Sequence, residues 1–241
     1  MSSTSCFSMR YQGKAALLVR PSCVGAWCVG FLLMLISTFS FGASVSEYPL
    51  HHAAQQNNVE DIKRLLEQGS PLDARNASGA TPLLVAVHAN AVDAARVLIN
   101  AGADVNAKDA IHDSAYLYAG ARGYLEILKM TLAHNADLES TNRYGGTALI
   151  PAAERGHVDT VQTLIDAGVA VDHVNRLGWT ALLEAIILGD GGERHQQIVA
   201  LLLNAGADPD LADAEGVTPL EHARKRGFLA MEKMLLAAQR N

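Results

Sequence analysis

Two apolar stripes with the same spacing stand out along the chain. Val59, Ile62, Leu65 and Leu66 fall at i, i+3, i+6 and i+7, and Val158, Val161, Leu164 and Ile165 repeat the spacing. On a helix those four positions share one face, leaving the opposite face polar. The residues that end such helices form ladders. Gly69, Gly102, Asn135, Gly168 and Gly206 lie 33, 33, 33 and 38 residues apart, and so do the loop-opening residues Asn76, Asp109, Asn142, Asn175 and Asp213. A third ladder, Asn57, Asn90, Gly123, Gly156, Gly189 and Gly227, keeps a period of 33 four times before the same 38. Gly and Asn tolerate the left-handed backbone that closes a helix, so the Gly/Asn ladders predict tight helix exits. Thr81-Pro82 and Thr218-Pro219 predict helix starts. The hydroxyl caps free amides, and proline at the first helical position has no amide to lose. Each period therefore reads as loop, short helix, tight turn, longer helix.

One such hairpin is too thin to bury its own stripe, so neighbours must stack into a continuous core. The ladders mark six units, at about 47–75, 76–108, 109–141, 142–174, 175–212 and 213–241. The small pairs Ala53-Ala54 and Ala152-Ala153 let partner helices approach closely. The expected fold is an all-α solenoid. At this point the residues carry a family likeness. Thr81-Pro82-Leu83 with Ala86, Gly156-His157, Leu201 to Asp208 and Thr218-Pro219-Leu220-Glu221-His222-Ala223 resemble the ankyrin repeat, with Glu221 where that pattern has His. The resemblance spans about residues 48–238. It implies a non-catalytic scaffold that binds a protein partner through its concave face and inter-repeat loops, with no cofactor and no metal. Together with the leader described next, Tyr116 to Ala121 and Gly178 to Ala185 make the chain similar to exported bacterial ankyrin proteins.

Composition adds the compartment. The chain has 241 residues, 49% of them hydrophobic, and a net charge of −6. That apolar share is too high for a disordered chain. Residues 1–43 hold Arg10, Lys14 and Arg20 and no acid, so the rest of the chain carries −9, a poor match for nucleic-acid phosphates. A basic flank precedes an uncharged run from Cys23 to Phe41, and small residues follow at 42–44. That order predicts a secretory signal peptide, or a signal-anchor if it is not cleaved, since residues 23–42 are long enough to span a bilayer. Either outcome places residues 44–241 in the periplasm or outside the cell, touching a membrane only through the N-terminal segment. Cys6, Cys23 and Cys28 all precede residue 30, so the repeats hold no disulfide, thiolate metal site or cysteine nucleophile.

Departures from the repeat carry the candidate sites. Residues 190–194 are inserted between the two helices of the fifth unit. They read as a tolerated loop, a partner-contacting finger, or a weak cation site using Asp190 and Glu193. Pro151 sits one position deeper in a helix than proline prefers, and local tilt is expected there. Five of the seven aromatics after residue 43 fall between 116 and 179. Tyr144 and Trp179 occupy loop positions expected to point outward, beside Arg143, Arg176 and Leu177. Aromatics and arginine are favoured binding anchors. The candidate partner surface is therefore Arg143, Tyr144, Arg176, Leu177 and Trp179, with Tyr118 and Arg155. Tyr116 and Tyr124 are expected to fill gaps between helices. His51, His157 and His195 are expected to bond backbone, and Arg224-Lys225-Arg226 to form a solvated helix face.

Catalytic signatures do not emerge. The chain has no phosphate-cradling Gly-x-x-x-x-Gly-Lys, no Gly-x-Ser-x-Gly elbow and no His-Glu-x-x-His. Two other roles are open at this point: an inhibitor or immunity-type protein that blocks an enzyme or toxin, and an enzyme with its site on the concave face.

Overall fold

The computed structural model describes residues 48–240; the leader or signal-anchor expected over residues 1–43 lies outside the described residues. The described residues form twelve α-helices and no strand. Six first helices are α1 Pro49–Gln55, α3 Pro82–His88, α5 Ala115–Arg122, α7 Leu149–Glu154, α9 Ala181–Ile187 and α11 Pro219–Arg226. The second helices are α2 Val59–Glu67, α4 Val92–Asn100, α6 Leu125–Ala133, α8 Val158–Asp166, α10 Glu193–Asn204 and α12 Leu229–Ala238. Each first helix packs on its own second helix, and both pack on their counterparts in the next unit. Two helical layers thus enclose one core running the length of the stack, in which Leu83, Leu98, Ile127, Leu149, Leu164, Leu182 and Leu202 are almost completely buried. Burying each such side chain is worth roughly 2 kcal/mol. No helix among the described residues is long and apolar enough to cross a membrane.

The loop-opening ladder has a common chemistry. Asn76 Oδ1 accepts from the amides of Ser78 and Ala80, both at 3.0 Å. Asp109 does the same for Ile111 and Asp113, Asn142 for Tyr144 and Gly146, Asn175 for Leu177 and Trp179, and Asp213 for Glu215 and Val217. A short side-chain oxygen is needed to reach the amides two and four residues on, which is why only Asn and Asp occupy the ladder. The helix starts also follow the expectation. Thr81, Ser114 and Thr180 accept from the third amide onward at 3.2 Å, and Thr218 closes a capping box with Glu221.

Unit four departs from this scheme. Thr147, the counterpart of Thr81, is buried with its hydroxyl oxygen unbonded, and α7 begins only at Leu149 and runs six residues. Pro151 stands where Val85 donates to the Thr81 carbonyl at 3.0 Å in unit two. Lacking that amide, the chain forgoes the first helical bond and starts its helix late.

The insertion in unit five is not a simple loop. Helix α10 begins at Glu193 and is 12 residues long, so the inserted Glu193 and Arg194 lengthen the helix instead of projecting. The left-handed turn falls on Gly191, at φ +71°, in place of Gly189. The Asp190 carboxylate accepts from the Gly192 amide at 2.9 Å and pairs with His195 Nδ1 at 2.8 Å. The Phe228 ring of unit six packs against Gly191, where any side chain would collide with it. Arg226 lies over that ring and donates to the carbonyls of Ile187 and Gly189. The basic cluster expected to be solvated therefore contributes one clamp between units.

Two of the three histidines at the repeat positions bond backbone, while the His157 ring packs against Gly123 instead. His51 Nε2 meets the Ala80 carbonyl at 3.0 Å, and His195 Nε2 meets the Glu154 carbonyl at 2.9 Å. Burial holds the His51 imidazole below its ordinary pKa. Tyr116 is fully buried between helices with its hydroxyl unbonded, and Tyr124 is half-buried beside Tyr118.

Candidate functional site

The first helices and the loops before them line a groove, and one position of each first helix faces the opening residue of its own loop. In units two to six that position is Val85, Tyr118, Pro151, Glu184 and His222. Where both partners are polar they bond. Asn175 spends its oxygen on loop amides and its Nδ2 donates to Glu184 Oε1 at 2.8 Å. In the next unit the roles reverse: Asp213 holds the loop amides with one oxygen and pairs with His222 Nε2 at 2.7 Å through the other.

Two cavities open in this groove. One, about 410 Å³, lies between units one and two and is lined by Tyr48, His52, Asn76 and His88 among others. The second, about 420 Å³, spans units three to five. Its lining combines the carboxyls of Asp113, Glu154 and Glu184 with the guanidiniums of Arg122, Arg143 and Arg155. Tyr118, Tyr144, Ile150, Pro151, Leu177 and Leu188 supply the apolar part. Glu184 is only 6% exposed. Burial first, then repulsion from Glu154, pushes its carboxyl up to about 7, against the lowering by Asn175 and Arg155. Burial and the neighbouring Asp109 likewise raise Asp113, opposed by Arg143 and His88.

Of the seven residues proposed from sequence, five line this cavity. Tyr118 stacks edge-on against His88 with centroids 4.4 Å apart. Tyr144 is 54% exposed, and the Arg143 guanidinium lies 4.9 Å from its ring centre and 3.8 Å from Asp113. Leu177 is 53% exposed, and Arg155 donates to the Ala121 carbonyl at 2.6 Å. The other two lie elsewhere. Arg176 packs over Gly145 and donates to the Arg143 carbonyl at 2.9 Å, tying two loops together. Trp179, expected to point outward, is half-buried, and its backbone is tied to Asn175 in both directions. It immediately precedes the capping Thr180, and Ala80, the residue before the capping Thr81, is buried. Sequence reading missed Asp113, Glu154, Glu184 and Leu188. Of these only Glu184 carries a signal in the groove ladder, where a charged residue replaces Val85. Among the described residues no group of three or more His, Cys, Asp or Glu is placed to hold a metal ion.

Stacked two-helix units with Asn- or Asp-pinned loops define a helical repeat solenoid. The model for ankyrin repeats (3 copies) matches residues 25–109 and 116–213, and the chain belongs to the ankyrin repeat family. An ankyrin repeat domain from Acinetobacter baumannii AYE is 67% identical with a TM-score of 0.79, over 80% of this chain and 98% of that one. The ankyrin repeat protein EF0377 is 43% identical with a TM-score of 0.75, over 79% and 96%. A 55-residue stretch is 56% identical to the ankyrin repeat protein YahD of Escherichia coli (strain K12), covering 23% of this chain and 27% of that protein. The match thus spans about a quarter of that curated relative's length. Ankyrin repeats typically form non-enzymatic scaffolds that bind protein partners.

Proposed function

We propose that this chain is an exported scaffold that docks a partner protein in the groove of units three to five. One observation carries the reading. Six large apolar side chains of the described residues are conspicuously exposed, and three of them, Tyr144, Leu177 and Leu188, converge on the same cavity. Apolar surface gathered on one concavity and rimmed by charge is the signature of a docking site. The scaffold is ordered on folding, so little conformational entropy is lost when a partner binds. Export rests on the basic-then-apolar order of residues 1–43 and places the partner in the periplasm or outside the cell.

Cross-linking in intact cells followed by mass spectrometry identifies the partner, and N-terminal sequencing of the mature chain locates any cleavage. With the partner in hand, Tyr144→Ala combined with Leu177→Ala is expected to weaken capture at least tenfold while the thermal melt stays unchanged. Unaltered affinity removes the groove from the proposal. An activity assay on the captured partner separates a passive scaffold from a blocking inhibitor.

A further inference from the structure

Two carboxyls in the cavity of units three to five make no ion pair among the described residues, and only the unpaired, longer-range charge of Arg155 favours one of them, Glu184. Glu184 is buried and bonded only to the neutral amide of Asn175. The Glu154 carboxylate, on the neighbouring helix α7, makes no hydrogen bond or ion pair among the described residues, yet lies close enough to Glu184 to repel it. The guanidiniums lining the cavity are turned to other groups: Arg143 to Asp113 and the Tyr144 ring, Arg155 to the Ala121 carbonyl, Arg122 to the Tyr118 ring. Pro151, Leu177 and Leu188 give the cavity apolar walls.

We propose that the docked partner inserts one arginine or lysine side chain between Glu154 and Glu184, while apolar neighbours of that residue cover Tyr144, Leu177 and Leu188. The inference rests on the groove being the docking surface and adds what that surface selects. A long basic side chain suits the cavity on both counts, because its aliphatic stem lies along apolar walls while its head reaches the carboxyls. Burial and Glu154 already push the Glu184 carboxyl up to about 7, so an arriving cation relieves a cost that the free protein bears. An acidic side chain placed between Glu154 and Glu184 would meet two carboxyls that no guanidinium pairs directly, which is discrimination by repulsion as well as attraction. The net charge of −9 over residues 44–241 draws a basic segment toward the domain in the first place.

The test pans a phage-displayed random heptapeptide library on the full chain and on two variants, Glu184→Gln and Glu154→Gln. Glu184→Gln keeps an acceptor for Asn175, and Glu154→Gln changes a half-buried group with no partner, so one reports even if the other fails to fold. The expected winners carry Arg or Lys at one fixed position flanked by apolar residues. A synthetic winner should lose at least tenfold in affinity when that residue becomes norleucine, and a similar factor on either variant. Winners without a basic residue, winners that bind the wild type and both variants equally, or no winner that prefers the wild type would each overturn the inference. Peptides without a basic residue that still lose binding on Tyr144→Ala leave the groove standing and remove only its charge selection. Peptides insensitive to Tyr144→Ala and to both carboxyl variants remove both.

Discussion

Units two and four have the same length and the same pinned loop, and their second helices are both nine residues long. Their first helices nevertheless begin differently. In unit two Thr81 caps the chain, Pro82 occupies the first helical position and Val85 donates to the Thr81 carbonyl. In unit four Thr147 caps nothing, Pro151 has replaced the donor and the helix is one residue shorter. On the groove side Pro151 lines the cavity of units three to five, and Thr147 is buried with its hydroxyl unbonded. Helices α5 and α9 hold α7 from both sides, so a faulty start is tolerated inside the stack. The contrast teaches where the repeat is strict. The pinned loops follow the period, whereas the start of α7 breaks it beside the cavity that Pro151 lines.

The contrast is most sharply broken by exchanging the two residues. Val85→Pro removes a formed hydrogen bond and drives a ring into the preceding turn, and should cost about 3 kcal/mol or more. Pro151→Ala should return only about 1 kcal/mol, because the chain in unit four has already relaxed around the proline and must rewind to use the new amide. Urea unfolding of the two variants measures both. Equal and opposite changes would mean that unit four has made no structural adjustment to its proline.

The same groove position bears Glu184 in unit five, and there the contrast with Val85 is one of charge. The Glu184 carboxyl titrates near 7 in the folded protein against 4.5 ordinarily. Between those values the folded state holds a proton that the unfolded chain has released, so stability falls as pH rises through this window. The penalty is absent below about pH 4.5 and complete above about pH 7. At about 1.4 kcal/mol per pKa unit, it amounts to no more than about 3.5 kcal/mol. Glu184→Gln should therefore stabilise the protein at pH 8 and leave it nearly unchanged at pH 4.5. Melts of wild type and variant at the two values decide the matter, and parallel pH profiles would refute the buried-charge reading. The histidines lowered by burial act with the opposite sign, losing stability as pH falls below 6.5, but they are common to both proteins.

The fold was legible because its ladders answer demands of the local backbone. A left-handed exit requires Gly or Asn, and a loop oxygen that reaches amides two and four residues on requires Asn or Asp. The groove was legible only in part. Tyr144 and Leu177 are exposed because their loop positions have nothing to pack on, and that could be read from register alone. Trp179 shares the loop but is half-buried, immediately before the capping Thr180. The closeness of Glu154 and Glu184 depends on how neighbouring first helices align, and no spacing within one helix announces it. The sequence places residues 190–194 between the helices of unit five, but Glu193 and Arg194 belong to α10, whose start no capping side chain announces. Arg226 and Phe228 acquire their part only because that loop folds back on unit six.

The smallest effect isolates the caps themselves. The Thr81 hydroxyl accepts from the Leu84 amide at 3.2 Å, whereas the Thr147 hydroxyl oxygen is buried without a partner. Removing a working N-cap costs about 1 kcal/mol. Removing a hydroxyl that is buried and unbonded discards a desolvation penalty along with a small packing contact, and the two roughly cancel. Thr81→Ala should therefore lower the urea midpoint, with Thr147→Ala shifting it by about 0.5 kcal/mol or less in either direction. A loss at Thr147 as large as that at Thr81 would show that unit four is capped in solution after all. It would then be the proline ring, not the missing cap, that distinguishes the two units.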